Sequence, residues 1–265
     1  MAAIHDLLKR LWQGYSQMNP QAESIHRLLT ERGEKVVNDH IALRTFDDPR
    51  VGIEVLSAGF LAGGYRAGDE YSFTEKKLAA RHYEPLDVSL PKVFISELKL
   101  ADFSENLRSL VGRLLDQVPE QTWTRSDLAV IGRPWALSHD EYLALAEESE
   151  YAAWMAAFGF RANHFTVLVN ALATFDGLES FNAYLKQAGY QLNASGGEIK
   201  GSPEVCLEQS STLADQVSVD FSDSVQTIPG CYYEFARRYP LPDGSLFGGF
   251  VARSADKIFE STNRR

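Results

Sequence analysis

The chain has 265 residues, 45 % of them apolar and 11 % aromatic, which is ample for a buried core. A formal charge of −10 with no dense Lys/Arg stripe repels phosphate backbones and argues against nucleic acid as a partner. MAAIHDLLKRLWQGY mixes charges into its apolar positions, unlike a signal peptide, and no run approaches the roughly 20 apolar residues of a membrane span, so a cytoplasmic protein with no membrane partner is expected.

Ile4, Leu7, Leu8, Leu11, Trp12 and Tyr15 recur at helical spacing, and a second helix is marked by Asn19 as cap, Pro20 at its first position and Gly33 beyond its end. Residues 36–46 alternate as a strand, sending His40, Ala42 and Arg44 to one face and Ile41 and Leu43 to the other. A helix over 48–59, a Gly-rich turn at 63–68, strands at 71–84 and 92–99 and a helix at 103–117 follow. Ser138 and Glu141 have capping-box spacing and open a helix of roughly twenty residues. The order then repeats. ANHFTVLVN is a strand with His164, Thr166, Leu168 and Asn170 on one face; a helix capped by Asp176 and stopped by Gly189 comes next, then strands at 190–194, 204–210, 216–221 and 231–238. The pattern in both halves is a strand with a His near its start, a helix, then several strands. One domain built of two halves, about 1–125 and 126–265, is expected.

Three stretches, NDHIALRTF, ANHFTVLVN and CYYEFARRYP, each place one metal-ligating group in such a strand: His40, His164 and Glu234. Two imidazoles and one carboxylate on one face of an ion leave other positions open to a chelating substrate and dioxygen, as in non-haem Fe(II) enzymes. Glu234 stands between Tyr233 and Phe235, where a carboxylate is costly to desolvate unless a cation or donor meets it. The competing reading of a lone strand His is a hydrogen-bonded side chain. His5, His26 and His139 occupy helical or capping positions where solvation suffices, and His82, in RHYEP, is the alternative ligand. Arg44 returns to the His40 face about 13 Å along the strand and can grip a carboxylate bidentately; its alternative is a salt bridge to Asp47, Asp48 or Glu54. Ser254 caps a short C-terminal helical pattern, and with Arg253 it offers an anion site. Cys206 and Cys231, with no CxxC spacing, read as reduced thiols.

Together NDHIALRTF, ANHFTVLVN, YYEFARRYP and GFVARSADKIFES resemble the 2-oxoadipate dioxygenase/decarboxylase family, whose fold is related to the vicinal oxygen chelate proteins. The resemblance implies an α+β fold of two βαβββ-type units curled around a metal, with Fe(II) at His40, His164 and Glu234 and Arg44 matching the arginine that holds substrate. It implies conversion of a 2-oxo dicarboxylate, 2-oxoadipate, with O2 to 2-hydroxyglutarate and CO2, as in bacterial lysine breakdown, with RSADKIF lining the same pocket. The chain is shorter than those bacterial enzymes and carries Arg253 where they have an apolar residue, which bears on the acid accepted. Imidazole and carboxylate also take Zn, Mn or Ni, so isomerase, lyase or hydrolase chemistry, or a non-catalytic ligand-binding module, are the alternatives.

Overall fold

The computed structural model describes residues 2–251. The chain runs α1 (Ala2–Met18), α2 (Pro20–Glu31), β1 (Asn38–Phe46), α3 (Ile53–Ala62), β2 (Tyr65–Phe73), β3 (Leu78–Pro85), β4 (Lys92–Leu98) and α4 (Glu105–Asp116). It continues with α5 (His139–Glu148), α6 (Glu150–Phe158), β5 (Ala162–Leu168), α7 (Leu178–Gln187), β6 (Lys200–Ser202), β7 (Leu207–Ser211), β8 (Gln216–Asp220), β9 (Val225–Pro229) and β10 (Tyr232–Arg238). Eight strands form one sheet in the order β2-β3-β4-β1-β5-β10-β7-β6, and β8-β9 stands apart as a hairpin.

The order is palindromic, and the registers explain why. In each half the first strand pairs in parallel with the last, β1 with β4 and β5 with β10, and the other contacts within a half are antiparallel. The halves meet where β1 pairs antiparallel with β5. An approximate two-fold axis runs through the Ile41/Phe165 pair, because His40 faces Thr166 on one side of it and His164 faces Ala42 on the other. The expected βαβββ repeat is therefore present, with β8-β9 as an addition to the second half.

Alternation sorts side chains between two faces of the curled sheet. Phe165, Tyr233 and Phe235 point outward: Trp12 and Tyr15 of α1 cover Phe165 with ring centroids 5.1 and 4.9 Å away, and Phe181 of α7 lies 4.8 Å from Phe235. On the outer side of the first half, the Glu97 carboxylate of β4 accepts the Ile53 backbone N–H and anchors the start of α3. The inner face is closed at one end by α6, where the Tyr151 hydroxyl donates to the Ser96 carbonyl of β4.

Several expected elements differ. The helix expected over 48–59 starts at Ile53, after a turn in which the Arg50 guanidinium holds Asp48. The segment 71–84 is not one strand but a hairpin, β2-β3, that absorbs most of the glycine-rich turn. The long helix after Ser138 breaks at Ser149, whose extended backbone (φ −155°) ends α5 and whose hydroxyl accepts from Ala152 N–H to start α6. Gly177, not Asp176, precedes α7, and strand 190–194 is reduced to a single Leu192–Thr212 bridge. The Ser138–Glu141 capping box is present as expected.

Candidate metal centre

His40 on β1, His164 on β5 and Glu234 on β10 lie on three adjacent strands and all face inward. Thr166 links them, pairing with His40 on one side and with Glu234 on the other. His40 Nε2 is 3.4 Å from Glu234 Oε1 and His164 Nε2 is 3.4 Å from Glu234 Oε2. One ligand atom from each of the three falls within 4.8 Å of the others, and this is the single such cluster among the described residues. Ligands about 2.0–2.2 Å from one ion stand roughly 3–4 Å apart, so the spacing suits a single cation. All three side chains are buried.

Each imidazole is oriented by the residue before it. The Asp39 carboxylate takes His40 Nδ1 at 2.8 Å, and the Asn163 amide oxygen takes His164 Nδ1 at 3.1 Å. Both depend on bulges. On β1 the register passes from Asn38↔Val167 to His40↔Thr166, leaving Asp39 as the extra residue. On the β5 side it passes from His164↔Ala42 to Ala162↔Leu43, leaving Asn163 extra. A bulge re-aims a side chain that strict alternation would send to the far face. Here it does so twice, at positions related by the two-fold. This leaves each Nε2 facing Glu234, with the Thr166 hydroxyl 3.1 Å from that of His40.

Burial and charge act on these groups in opposite directions. Burial would raise the Asp39 carboxyl, but the Arg238 charge and the bonds from His40 and Arg238 outweigh it and hold Asp39 well below the usual carboxylate range. Arg238 donates to both Asp39 oxygens, at 2.6 and 2.8 Å. Burial takes His164 well below the usual imidazole range, with the His40 and Arg44 charges adding to it. Burial likewise pushes the Glu234 carboxyl up, against His40 and the bond that Gln209 Nε2 donates at 2.6 Å. Two imidazoles and a carboxyl group thus converge on one point, a donor set that a divalent cation satisfies.

The two-fold also shows why the set is open. His40 maps onto His164, and Glu234, opposite Thr166, maps onto Phe94, opposite Ala42. An apolar ring therefore stands where a fourth ligand would mirror the third. Phe250 covers this side, 4.8 Å from the His40 ring and 4.9 Å from Phe94. Arg238 fixes the approach to Phe250 by donating to the carbonyls of Phe247 and Gly249, both at 2.8 Å.

The other expected site residues divide three ways. Arg44 is buried on the inner face, its guanidinium 4.9 Å from the ring centroids of both Tyr151 and Trp154 of α6. The three acids considered as its partners are engaged elsewhere: Asp47 accepts Leu100 N–H, Asp48 holds Arg50 and Glu54 holds Arg81. Arg44 also borders a cleft of about 270 Å³ with Lys77, Phe103 and Ser149. His82 is not a member of the ligand cluster. It faces inward on β3 opposite Phe94, its Nδ1 2.9 Å from the Tyr71 hydroxyl. Gly68 makes room for it, since a Cβ there would lie 2.3 Å from His82 Nε2. Arg253, Ser254 and the expected C-terminal helix lie outside the described residues. Sequence reasoning missed Asp39, Asn163, Gln209, Arg238 and the role of Phe94. A signal for the first two existed: a side-chain oxygen immediately precedes both histidines, in NDH and ANH.

Two βαβββ units around a shared, buried His, His, Glu cluster define a vicinal oxygen chelate-like protein with a candidate mononuclear metal centre. A protein of Ralstonia eutropha JMP134, provisionally described as a glyoxalase superfamily member, shares this fold at 21 % identity, with a TM-score of 0.75 over 92 % of this chain and 84 % of that one. The family model for 2-oxoadipate dioxygenase/decarboxylase matches residues 2–129 and 132–247. The chloroplastic 2-oxoadipate dioxygenase/decarboxylase of Arabidopsis thaliana is 35 % identical over 94 % of this chain and 74 % of its own length. The rice (Oryza sativa) hydroxyglutarate synthase, solved in complex with 2-oxoadipate, superposes with a TM-score of 0.90 at 31 % identity, covering 98 % of this chain and 92 % of that one. A crystal structure from Shewanella frigidimarina NCIMB 400, provisionally described as a hydrolase, is 51 % identical with a TM-score of 0.90, covering 94 % and 98 %. The chain belongs to the 2-oxoadipate dioxygenase/decarboxylase family, a family of oxidative enzymes. Among its described residues no helix is long and apolar enough to cross a membrane.

Proposed function

We propose that this enzyme is an Fe(II)-dependent dioxygenase that decarboxylates a 2-oxo dicarboxylic acid, 2-oxoadipate, and hydroxylates the shortened product to 2-hydroxyglutarate. The observation that carries the reading is the open three-ligand cluster: His40, His164 and Glu234 converge, and Phe94 occupies the mirrored fourth position. In this reading both halves form one catalytic unit, since His40 comes from the first and the other two ligands from the second. Fe(II) held there would supply dioxygen activation and chelation of the 2-oxo acid end.

The protein's own groups do the rest. Asp39 and Asn163 fix the imidazole orientations, and Gln209 holds Glu234 in place. Arg44, supported by two aromatic rings, grips the distal carboxylate and sets the chain at a fixed reach from the ligand cluster. Phe94 and Phe250 keep water away from the reacting end. Ser254 and Arg253 would add anion-binding groups to the same pocket.

The test is oxygen uptake by protein loaded anaerobically with Fe(II), screened against 2-oxo acids. The expected result is one O2 consumed per CO2 released with 2-oxoadipate, and 2-hydroxyglutarate as the product. Native zinc with no oxygen uptake would favour the Lewis-acid alternative instead, and ligand binding without turnover a non-catalytic module. Arg44→Ala should lower kcat/KM for dicarboxylates by about 100- to 10,000-fold, the worth of roughly two hydrogen bonds to a charged group; an unchanged value removes Arg44 from the pocket.

A further inference from the structure

One inner-face group is used neither by the ligand cluster nor by its supports. Tyr232 precedes Glu234 by two residues and pairs with His164 across the β5–β10 ladder, so its side chain shares the face of the three ligands. Its ring lies 4.7 Å from the His164 imidazole at an interplanar angle of 30°, and the residue is wholly buried. Among the described residues its hydroxyl has no hydrogen-bond partner. The Tyr15 hydroxyl donates at 2.6 Å to the Tyr232 backbone carbonyl and leaves the phenol untouched. Ala42, in the same row of the sheet as Tyr232, is followed two residues on by Arg44, so along the inner face the Tyr232 row lies between the Glu234 row and Arg44. A buried hydroxyl without a partner costs stability, and phenylalanine would fill the same space without that cost.

We propose that the Tyr232 phenol is a specificity-determining substrate contact that donates a hydrogen bond to the distal carboxylate of the bound 2-oxo dicarboxylate, beside Arg44. The inference rests on the substrate reading above. The acceptor is the distal end because Tyr232 lies in the Ala42–His164–Tyr232 row, one inner-facing position nearer Arg44 than the His40–Thr166–Glu234 row. A guanidinium and a phenol offer donors side by side, and a carboxylate supplies acceptors for both.

Tyr232→Phe separates the possibilities because it keeps the ring against His164 and removes a hydroxyl that no described residue uses. Fe(II)-loaded wild type and variant are titrated under argon with 2-oxoadipate and with 2-oxohexanoate, which has the same chain length and a methyl in place of the carboxylate. The variant should bind 2-oxoadipate about 10- to 100-fold more weakly, the effect of one hydrogen bond to a charged acceptor. Its affinity for 2-oxohexanoate should change by less than about twofold. Iron content should match wild type and Tm should be equal or higher. Equal loss for both acids, no loss for either, or a fall in iron content overturns the role given to Tyr232. A wild type that turns over 2-oxo acids yet shows no preference for 2-oxoadipate over 2-oxohexanoate overturns the dicarboxylate reading itself, and the Tyr232 inference with it.

Discussion

Asp39→Asn changes one charge and almost no volume at the point where the metal centre and the fold are joined. Asp39 and Arg238 each expose only 4 % of their side chains, and the carboxylate accepts from Arg238 twice and from His40 Nδ1 once. Removing one partner of a buried, hydrogen-bonded pair costs roughly 3–5 kcal/mol. Asparagine keeps one acceptor oxygen, so a loss of about 3 kcal/mol is expected. The amide also leaves the His40 imidazole less firmly oriented and less basic, which should weaken metal binding by roughly 10- to 100-fold, or about 1.4–2.7 kcal/mol. The two effects separate experimentally. Urea unfolding in chelator reads the first, and competition of the folded protein with a calibrated Fe(II) chelator reads the second. Pairing the change with Arg238→Met in a double-mutant cycle should show a coupling of about 1 kcal/mol or more. A variant within about 0.5 kcal/mol of wild type in chelator, with metal affinity inside about twofold, refutes both the buried pair and its support of His40.

Other expectations follow from the same geometry. Burial raises the Glu234 carboxyl, so ionising it costs the folded, metal-free protein more than the unfolded chain. Glu234→Gln should therefore raise Tm in chelator while abolishing iron binding, read by thermal melts and metal analysis; a lower Tm contradicts the electrostatic account. His40→Ala and His164→Ala should also empty the site, and iron retained by both shows the ligand assignment to be wrong. Because the folded-state pKa of Asp39 is depressed, its stabilising contribution is full above the unfolded value near 3.9 and lost as pH falls below it. The stability gap between wild type and Asp39→Asn should hence narrow as pH drops from about 5 toward 2 in urea titrations. Burial pushes the Cys231 thiol up to about 12, whereas Cys206 is half-buried. A thiol reagent at pH 8 should label Cys206 alone in the native protein and both cysteines only after unfolding.

Much of this protein was legible in one dimension. Alternation in NDHIALRTF and ANHFTVLVN was enough to assign strands, because a half-buried strand writes its period of 2 into the chain. The Ser138–Glu141 capping box is legible because caps satisfy amides only a few residues away, and Pro20 because its ring fixes φ for a first helical residue; Asn19 stands at the cap position of α2 but its side chain donates to the Tyr15 hydroxyl instead of capping. The repeated strand–helix–strand order, and with it His40, His164 and Glu234 as metal-ligating candidates, could likewise be read without coordinates.

What the tertiary structure alone decided is everything set by pairing between distant strands. The bulges at Asp39 and Asn163 exist only in the β1–β5 register, and strict alternation, which knows nothing of the partner strand, puts Asp39 on the face away from His40. Arg238 meets Asp39 from 199 positions away, and Gln209 meets Glu234 through the β7–β10 ladder. Phe94 acquires its meaning only from the two-fold that maps it onto Glu234. Local propensity determines which segments become strands and which residues each face carries, whereas the orientation, protonation and openness of the centre arise from long-range contacts that no short window of sequence contains.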